Sequence, residues 1–128
     1  MAFNQSFCVR FRDLDALGHV NHAVYLTYAE TARCDWFQSL GYTAMAELPF
    51  IVAAAHVEYQ DALRKDDIVT VAMKTLKIGT KSWKFSYEIH SARGLAATVE
   101  TVQVAYDYKN HQTVPLSGDL KVALESLL

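Results

Sequence analysis

Between Asn21 and Gly41 the residues Tyr25, Tyr28, Ala29, Ala32, Trp36 and Leu40 recur at a spacing that gathers them on one side of a 3.6-residue wheel. Thr27, Glu30, Thr31, Cys34 and Gln38 fall opposite. This predicts one helix of about five turns, roughly 27 Å long at 1.5 Å per residue. Asn21 is its expected N-cap and Gly41 its left-handed stop. Ala29 and Ala32, in the middle of the apolar stripe, leave room for another layer to approach the helix axis closely. A sheet curling around the helix would fill that gap.

The rest of the chain reads almost wholly as strands. Before the helix, "FCVRFR" (residues 7–12) alternates Phe7, Val9 and Phe11 with Cys8, Arg10 and Arg12, the period-two mark of a half-buried strand. After it, "PFIVAAAHVEYQ" starts apolar and then alternates. "IVTVAMKTLKI" runs to Gly79, and "SWKFSYEIHS" sets Trp83, Phe85, Tyr87 and Ile89 against Lys84, Ser86, Glu88 and His90. "LAATVETVQVAYDY" is longer and alternates less cleanly, as a bulged or doubly covered strand would. In "SGDLKVALESLL", Ser117 or Asp119 is placed to cap a short terminal helix. The order of strand, long helix and four strands gives an α+β fold, an antiparallel sheet wrapped on one helix. At 128 residues with a 52% hydrophobic fraction, residues 1–128 are expected to form a single domain with a continuous core.

Charge narrows the partners. Twelve basic against fourteen acidic residues give a net charge of −2, so no global field draws the chain to nucleic acid or to anionic lipid. The two cysteines, Cys8 and Cys34, are too few for a disulfide framework and have no metal-like or redox-like spacing. No apolar run approaches the length of a membrane span, and "MAFNQSF" lacks the pattern of a signal peptide. A cytoplasmic protein is the expectation.

One short stretch, "DLDALGHVNHAVY", concentrates the chemistry. Loops between a strand and a helix often carry Asp, Asn and Gly to satisfy free amides, and Asp13, Gly18 and Asn21 fit that role. Asp15, His19 and His22, however, converge where a long helix presents free N–H groups and the positive end of its dipole. Such an end stabilises the oxyanion formed when a carbonyl is attacked, while a nearby carboxylate attacks the carbonyl itself or deprotonates a water. A thioester or ester is the natural substrate for that pair. The dipole favours an ionised Asp15, which suits a base or nucleophile rather than an acid. His22 offers its backbone N–H and a ring able to orient water. The H-x-x-H pair lacks a third ligand at metal-site spacing, and no G-x-S-x-G elbow, P-loop or G-x-G-x-x-G is present. Cys34 lies on the expected polar face of the helix beside acidic Glu30 and Asp35, which do not lower a thiol pKa. Around Gly79, Lys74, Lys77, Lys81 and Lys84 form either a solvated hairpin with edge lysines or a small basic rim for a phosphorylated substrate.

"FRDLDALGHVNHAVYLTYAETAR" closely resembles the opening signature of hotdog-fold acyl-CoA thioesterases of the 4-hydroxybenzoyl-CoA thioesterase type, roughly D-x-D-x-x-G-x-V-x-[NH]-x-x-Y followed by a helix. The resemblance continues through "AHVEYQDALRKDDIVTV", "LKIGTKSWKFSYEI" and "ATVETVQVAYDY". It implies the hotdog fold, with an antiparallel sheet wrapped around one long central helix, and hydrolysis of an acyl-CoA to free acid and CoA. It also implies that Asp15 is the catalytic carboxylate and that His22 contributes a helix-terminal N–H and a ring that assists. Asn21 and Tyr25 stand beside them as substrate-binding candidates, and Lys81 and Ser82 match positions that border the CoA region. The resemblance implies a homodimer or homotetramer with active sites at the subunit interface, and no metal or organic cofactor. Where some members carry a tyrosine four residues before the catalytic aspartate, this chain has Phe11. The alternatives are a hotdog dehydratase or hydratase and a non-catalytic acyl-thioester binder.

Overall fold

The computed structural model describes residues 1–44 and 48–128. Strand β1 (Phe3–Cys8) leads through a 3-10 turn (Phe11–Asp13) to helix α1 (Val24–Ser39). Then come β2 (Phe50–Tyr59), β3 (Ile68–Ile78), β4 (Ser82–Ser91), β5 (Gly94–Asp107), the short β6 (Gln112–Thr113) and helix α2 (Gly118–Glu125). The described strands form one antiparallel sheet in the order β1-β3-β4-β5-β2, with β6 paired to the end of β5. The chain is therefore α+β with an antiparallel sheet, as expected.

Period-two alternation decides which face of the sheet is covered. Val69, Val71 and Met73 of β3, Trp83, Phe85, Tyr87 and Ile89 of β4, and Ala97, Val99 and Ala105 of β5 are all buried. Helix α1 packs on this face. Trp36 meets Phe85 at 5.6 Å between ring centroids, Phe37 meets Phe50 at 4.9 Å and Trp83 at 6.2 Å, and Tyr28 meets Phe7 at 4.8 Å. Each such side chain taken from water contributes about 1.5–3 kcal/mol before entropy is counted. Ala29 and Ala32 have no exposed surface, in keeping with their expected place at the closest approach of the helix. A row of polar groups crosses the same layer. Buried Arg33 donates to the Tyr87 hydroxyl at 3.1 Å, Tyr87 bonds Thr101 at 2.8 Å, and the Gln103 amide donates to Thr101.

Three expectations are corrected. The first strand is Phe3–Cys8, not Phe7–Arg12. Its partner β3 begins only at Ile68, opposite Cys8, and beyond that point Val9 bonds Asp67 across a turn while Phe11 lies exposed in the 3-10 turn. Helix α1 starts at Val24 with Ala23 at the cap position, so it spans 16 residues, about 24 Å at 1.5 Å per residue. Asn21 caps the turn before the helix instead, its Oδ1 accepting the Ala23 N–H at 2.9 Å. Finally, the buried stripe includes Arg33 and Phe37, whereas Leu40 is exposed. Gly41 does hold a left-handed φ of +105° at the helix end, and the Ser117 hydroxyl accepts the Leu120 N–H to start α2.

Candidate active site

The segment between β1 and α1 is tied down at both ends. Asp13 is buried; its Oδ2 accepts the Arg10 N–H and the Tyr28 hydroxyl, each at 3.0 Å, and its carbonyl accepts the Asn21 N–H at 2.9 Å. Burial, reinforced by the Asp13 carboxylate, holds the Tyr28 pKa above the usual phenol range, so this hydroxyl remains a donor. Asp13 is thus a scaffold for the loop, as its turn-like setting suggested.

Asp15 lies two residues on and is exposed. Its Oδ1 accepts the Leu17 N–H at 2.8 Å and the His19 N–H at 3.3 Å, while its own N–H donates to the His19 carbonyl at 2.7 Å. Gly18, at φ +80°, supplies the left-handed backbone that closes this tight loop. Among the described residues nothing bonds Asp15 Oδ2. One carboxylate oxygen is anchored and the other is left without a partner among the described residues.

The amides that follow behave differently from one another. Val20 N–H donates to Leu63 O, Asn21 N–H to Asp13 O, Ala23 N–H to Asn21 Oδ1 and Val24 N–H to Asn21 O, each at 2.9 Å. Between them, the His22 N–H has no acceptor among the described residues. Asn21 therefore spends both its oxygens on its neighbours, and among the described residues the His22 amide is the one left unpaired between Val20 and Val24.

Asp15, His19, His22, Tyr25, Tyr59 and Asp61 line one cleft of about 330 Å³. Asp15, His22 and Tyr25, expected together, are together. Tyr25 is buried and forms part of the cleft wall, its hydroxyl accepting the Leu63 N–H at 3.1 Å. Asn21 acts on the cleft through the backbone. Lys81 and Ser82 are elsewhere: Ser82 begins β4, whereas the wall residue Tyr59 sits opposite Ala97, which pairs with Ile89. Seven residues of strand, roughly 23 Å at 3.3 Å per residue, separate the two ends. Within one chain the structure does not bring Lys81 and Ser82 to Asp15. Of the lysines around Gly79, Lys84 is paired with Glu100 at 3.3 Å. Burial pushes the Cys34 thiol pKa up, which disfavours a thiolate. Among the described residues no group of three or more His, Cys, Asp or Glu could hold a metal ion, and no helix is long and apolar enough to cross a membrane.

The far wall, Tyr59–Ala62, carries no local signal in the sequence. It reaches the loop through the β2–β5 register and through Arg93, whose Nη2 meets Asp67 at 2.7 Å and the Ala62 carbonyl at 3.1 Å while Nε meets Asp61 at 3.2 Å. The Arg93 hydrogen bonds hold the Asp67 carboxyl below its usual pKa. A carboxyl whose folded pKa is depressed stabilises the fold fully above its unfolded value, about 4, and loses that contribution as pH falls through the lower folded value. In thermal melts from about pH 6 to pH 3, the gap between wild type and Arg93→Met is expected to narrow as the pH drops. A gap that stays constant over that range would show that the ion pair contributes nothing.

Comparisons with known proteins find relatives along nearly the whole chain. Residues 9–124 match the sequence model of the thioesterase-like superfamily. The chain is 26% identical over 125 residues to the long-chain acyl-CoA thioesterase FadM of Escherichia coli (strain K12), covering 94% of this chain and 95% of that one. It is 28% identical over 130 residues to the acyl-CoA thioesterase YbgC of Haemophilus influenzae, covering 95% of each. The crystal structure of a thioesterase from Thermus thermophilus, complexed with coenzyme A and Zn, superposes with a TM-score of 0.87 at 32% identity, over 97% of this chain and 92% of that one.

Proposed function

The chain belongs to the thioesterase-like superfamily, and from that premise we propose that it is an acyl-CoA thioesterase of the 4-hydroxybenzoyl-CoA thioesterase type, working as one hotdog domain over residues 1–128 with its sheet wrapped around α1. One observation carries the reading: the His22 N–H and Asp15 Oδ2, both without a partner among the described residues, belong to residues that line the same cleft. The first suits a developing oxyanion and the second suits attack on the carbonyl carbon.

The thioester carbonyl oxygen accepts from the His22 N–H. Asp15 supplies the nucleophile, either Oδ2 itself or a water that it deprotonates. The tetrahedral intermediate collapses by breaking the carbon–sulfur bond, and CoA leaves as the thiolate and is protonated. If Oδ2 attacks, water then hydrolyses the mixed anhydride; by either route one thioester and one water give one acid and one thiol. The His22 ring orients water, Asn21 keeps the helix entrance in register, and Tyr25 packs beside the acyl group.

Lys81 and Ser82 lie far from Asp15 of their own chain, which supports their serving the CoA moiety across a subunit interface. Strand β2 is at one edge of the sheet, and its segment from Val52 to His56 is exposed, a surface suited to a second copy in a homodimer or homotetramer. The balanced surface charge fits a cytoplasmic enzyme. Thiol release from a panel of aromatic and aliphatic acyl-CoAs tests the assignment. Turnover on at least one class, at about 1–1000 per second, is expected, whereas saturable binding without thiol release would identify a non-catalytic acyl-thioester binder.

A further inference from the structure

The His22 peptide stands just ahead of α1, beyond the reach of the helix's own hydrogen bonds. Its carbonyl accepts the Tyr59 hydroxyl at 2.7 Å, and nothing else among the described residues bonds to it. Tyr59 is the last residue of β2, so the contact joins the sheet edge to the helix entrance across 37 positions of sequence. Its ring is held edge-on to Tyr25, centroids 4.9 Å apart at 89°, and lines the cleft with Asp15 and His22.

We propose that Tyr59 is a positioning residue for hydrolysis: its hydroxyl fixes the backbone at His22 so that the free N–H of that residue points at the thioester carbonyl oxygen. The inference rests on the thioesterase reading. The N–H and C=O of His22 flank one Cα, and rotation about either backbone bond changes their relative direction. The peptide that carries the His22 N–H is held by the Val24 N–H on Asn21 O, and the peptide that carries the His22 C=O is held by the Ala23 N–H on Asn21 Oδ1 and by the Tyr59 hydroxyl on the carbonyl itself. An oxyanion donor acts through being aimed before the reaction begins, so releasing one of these restraints lowers the rate of the chemical step rather than the affinity for substrate.

Tyr59→Phe removes the hydroxyl and keeps the ring against Tyr25. The expected result is a kcat about tenfold lower or more, a KM changed by less than about threefold, and faster hydrogen exchange in the unliganded protein at the bonded Ala23 amide, which shares a peptide plane with the His22 carbonyl. A merely structural tyrosine would not produce that split, and a tyrosine that grips the acyl group would raise KM instead. Wild-type turnover with kcat unchanged in Tyr59→Phe, or with KM alone raised, overturns the positioning role and leaves the thioesterase reading standing. Absence of wild-type turnover on every acyl-CoA tested overturns the thioesterase reading, and the positioning role of Tyr59 with it.

Discussion

Asp15→Asn is expected to lower acyl-CoA turnover by at least about a hundredfold, the scale on which a general base or nucleophile is lost, while the protein melts within a few degrees of wild type. The two halves of that expectation come from the two oxygens of one side chain. Oδ1 accepts from the Leu17 and His19 amides and so shapes the loop. An asparagine carbonyl accepts the same two bonds, so the turn is kept. Oδ2 has no partner among the described residues, and replacing it with an amide nitrogen removes both the charge and the attacking atom. Thiol release and circular dichroism on the same preparation check the pair of claims. Equal rates in a folded variant would remove Asp15 from the chemistry.

Phe37→Ala is expected to cost about 3–5 kcal/mol of folding stability, the range for losing a fully buried aromatic ring. Phe37 has no exposed surface and lies within 4.9–6.2 Å, centroid to centroid, of Phe50, Trp36, Tyr42 and Trp83. Those neighbours belong to the helix, the loop after it and two strands, and no small local shift closes the void. Denaturant unfolding measures the loss; a cost under about 1 kcal/mol would mean that the rings around it repack freely.

Phe37 also shows where periodicity stops informing. A wheel drawn on the clearest apolar spacing leaves out Phe37 and Arg33, because a helix lying on a broad sheet buries a wider arc than its narrowest stripe. Arg33 carries no apolar signal at all and is buried where Tyr87 offers an acceptor, Glu30 a carboxylate at 3.7 Å and Phe50 a ring face, the guanidinium carbon 5.8 Å from that ring's centroid. The strands of the "SWKFSYEIHS" type were legible, since one face of each is fully covered. The first strand was misplaced because "FCVRFR" alternates as well as a strand does, while the end of its partner at Ile68 is written some sixty residues away. The near half of the cleft was legible because Asp15, Asn21, His22 and Tyr25 lie within one short segment whose bonds are mostly local. Tyr59, Asp61 and Arg93 were not, since only strand pairing brings them there.

The strand order has a consequence for how the chain must come together. The β3–β4–β5 meander is joined by short turns, whereas pairing β1 to β3 from Cys8 to Ile68 closes a loop of roughly sixty residues against roughly four in the hairpin after Ile78. The difference in loop-closure entropy is about 2.4 kcal/mol. The cleft takes one wall from the segment following β1 and the other from the end of β2, which also pairs at long range with β5. Both walls hang on the two outer joins of the sheet, so the pocket exists only once the chain's longest loops have been closed.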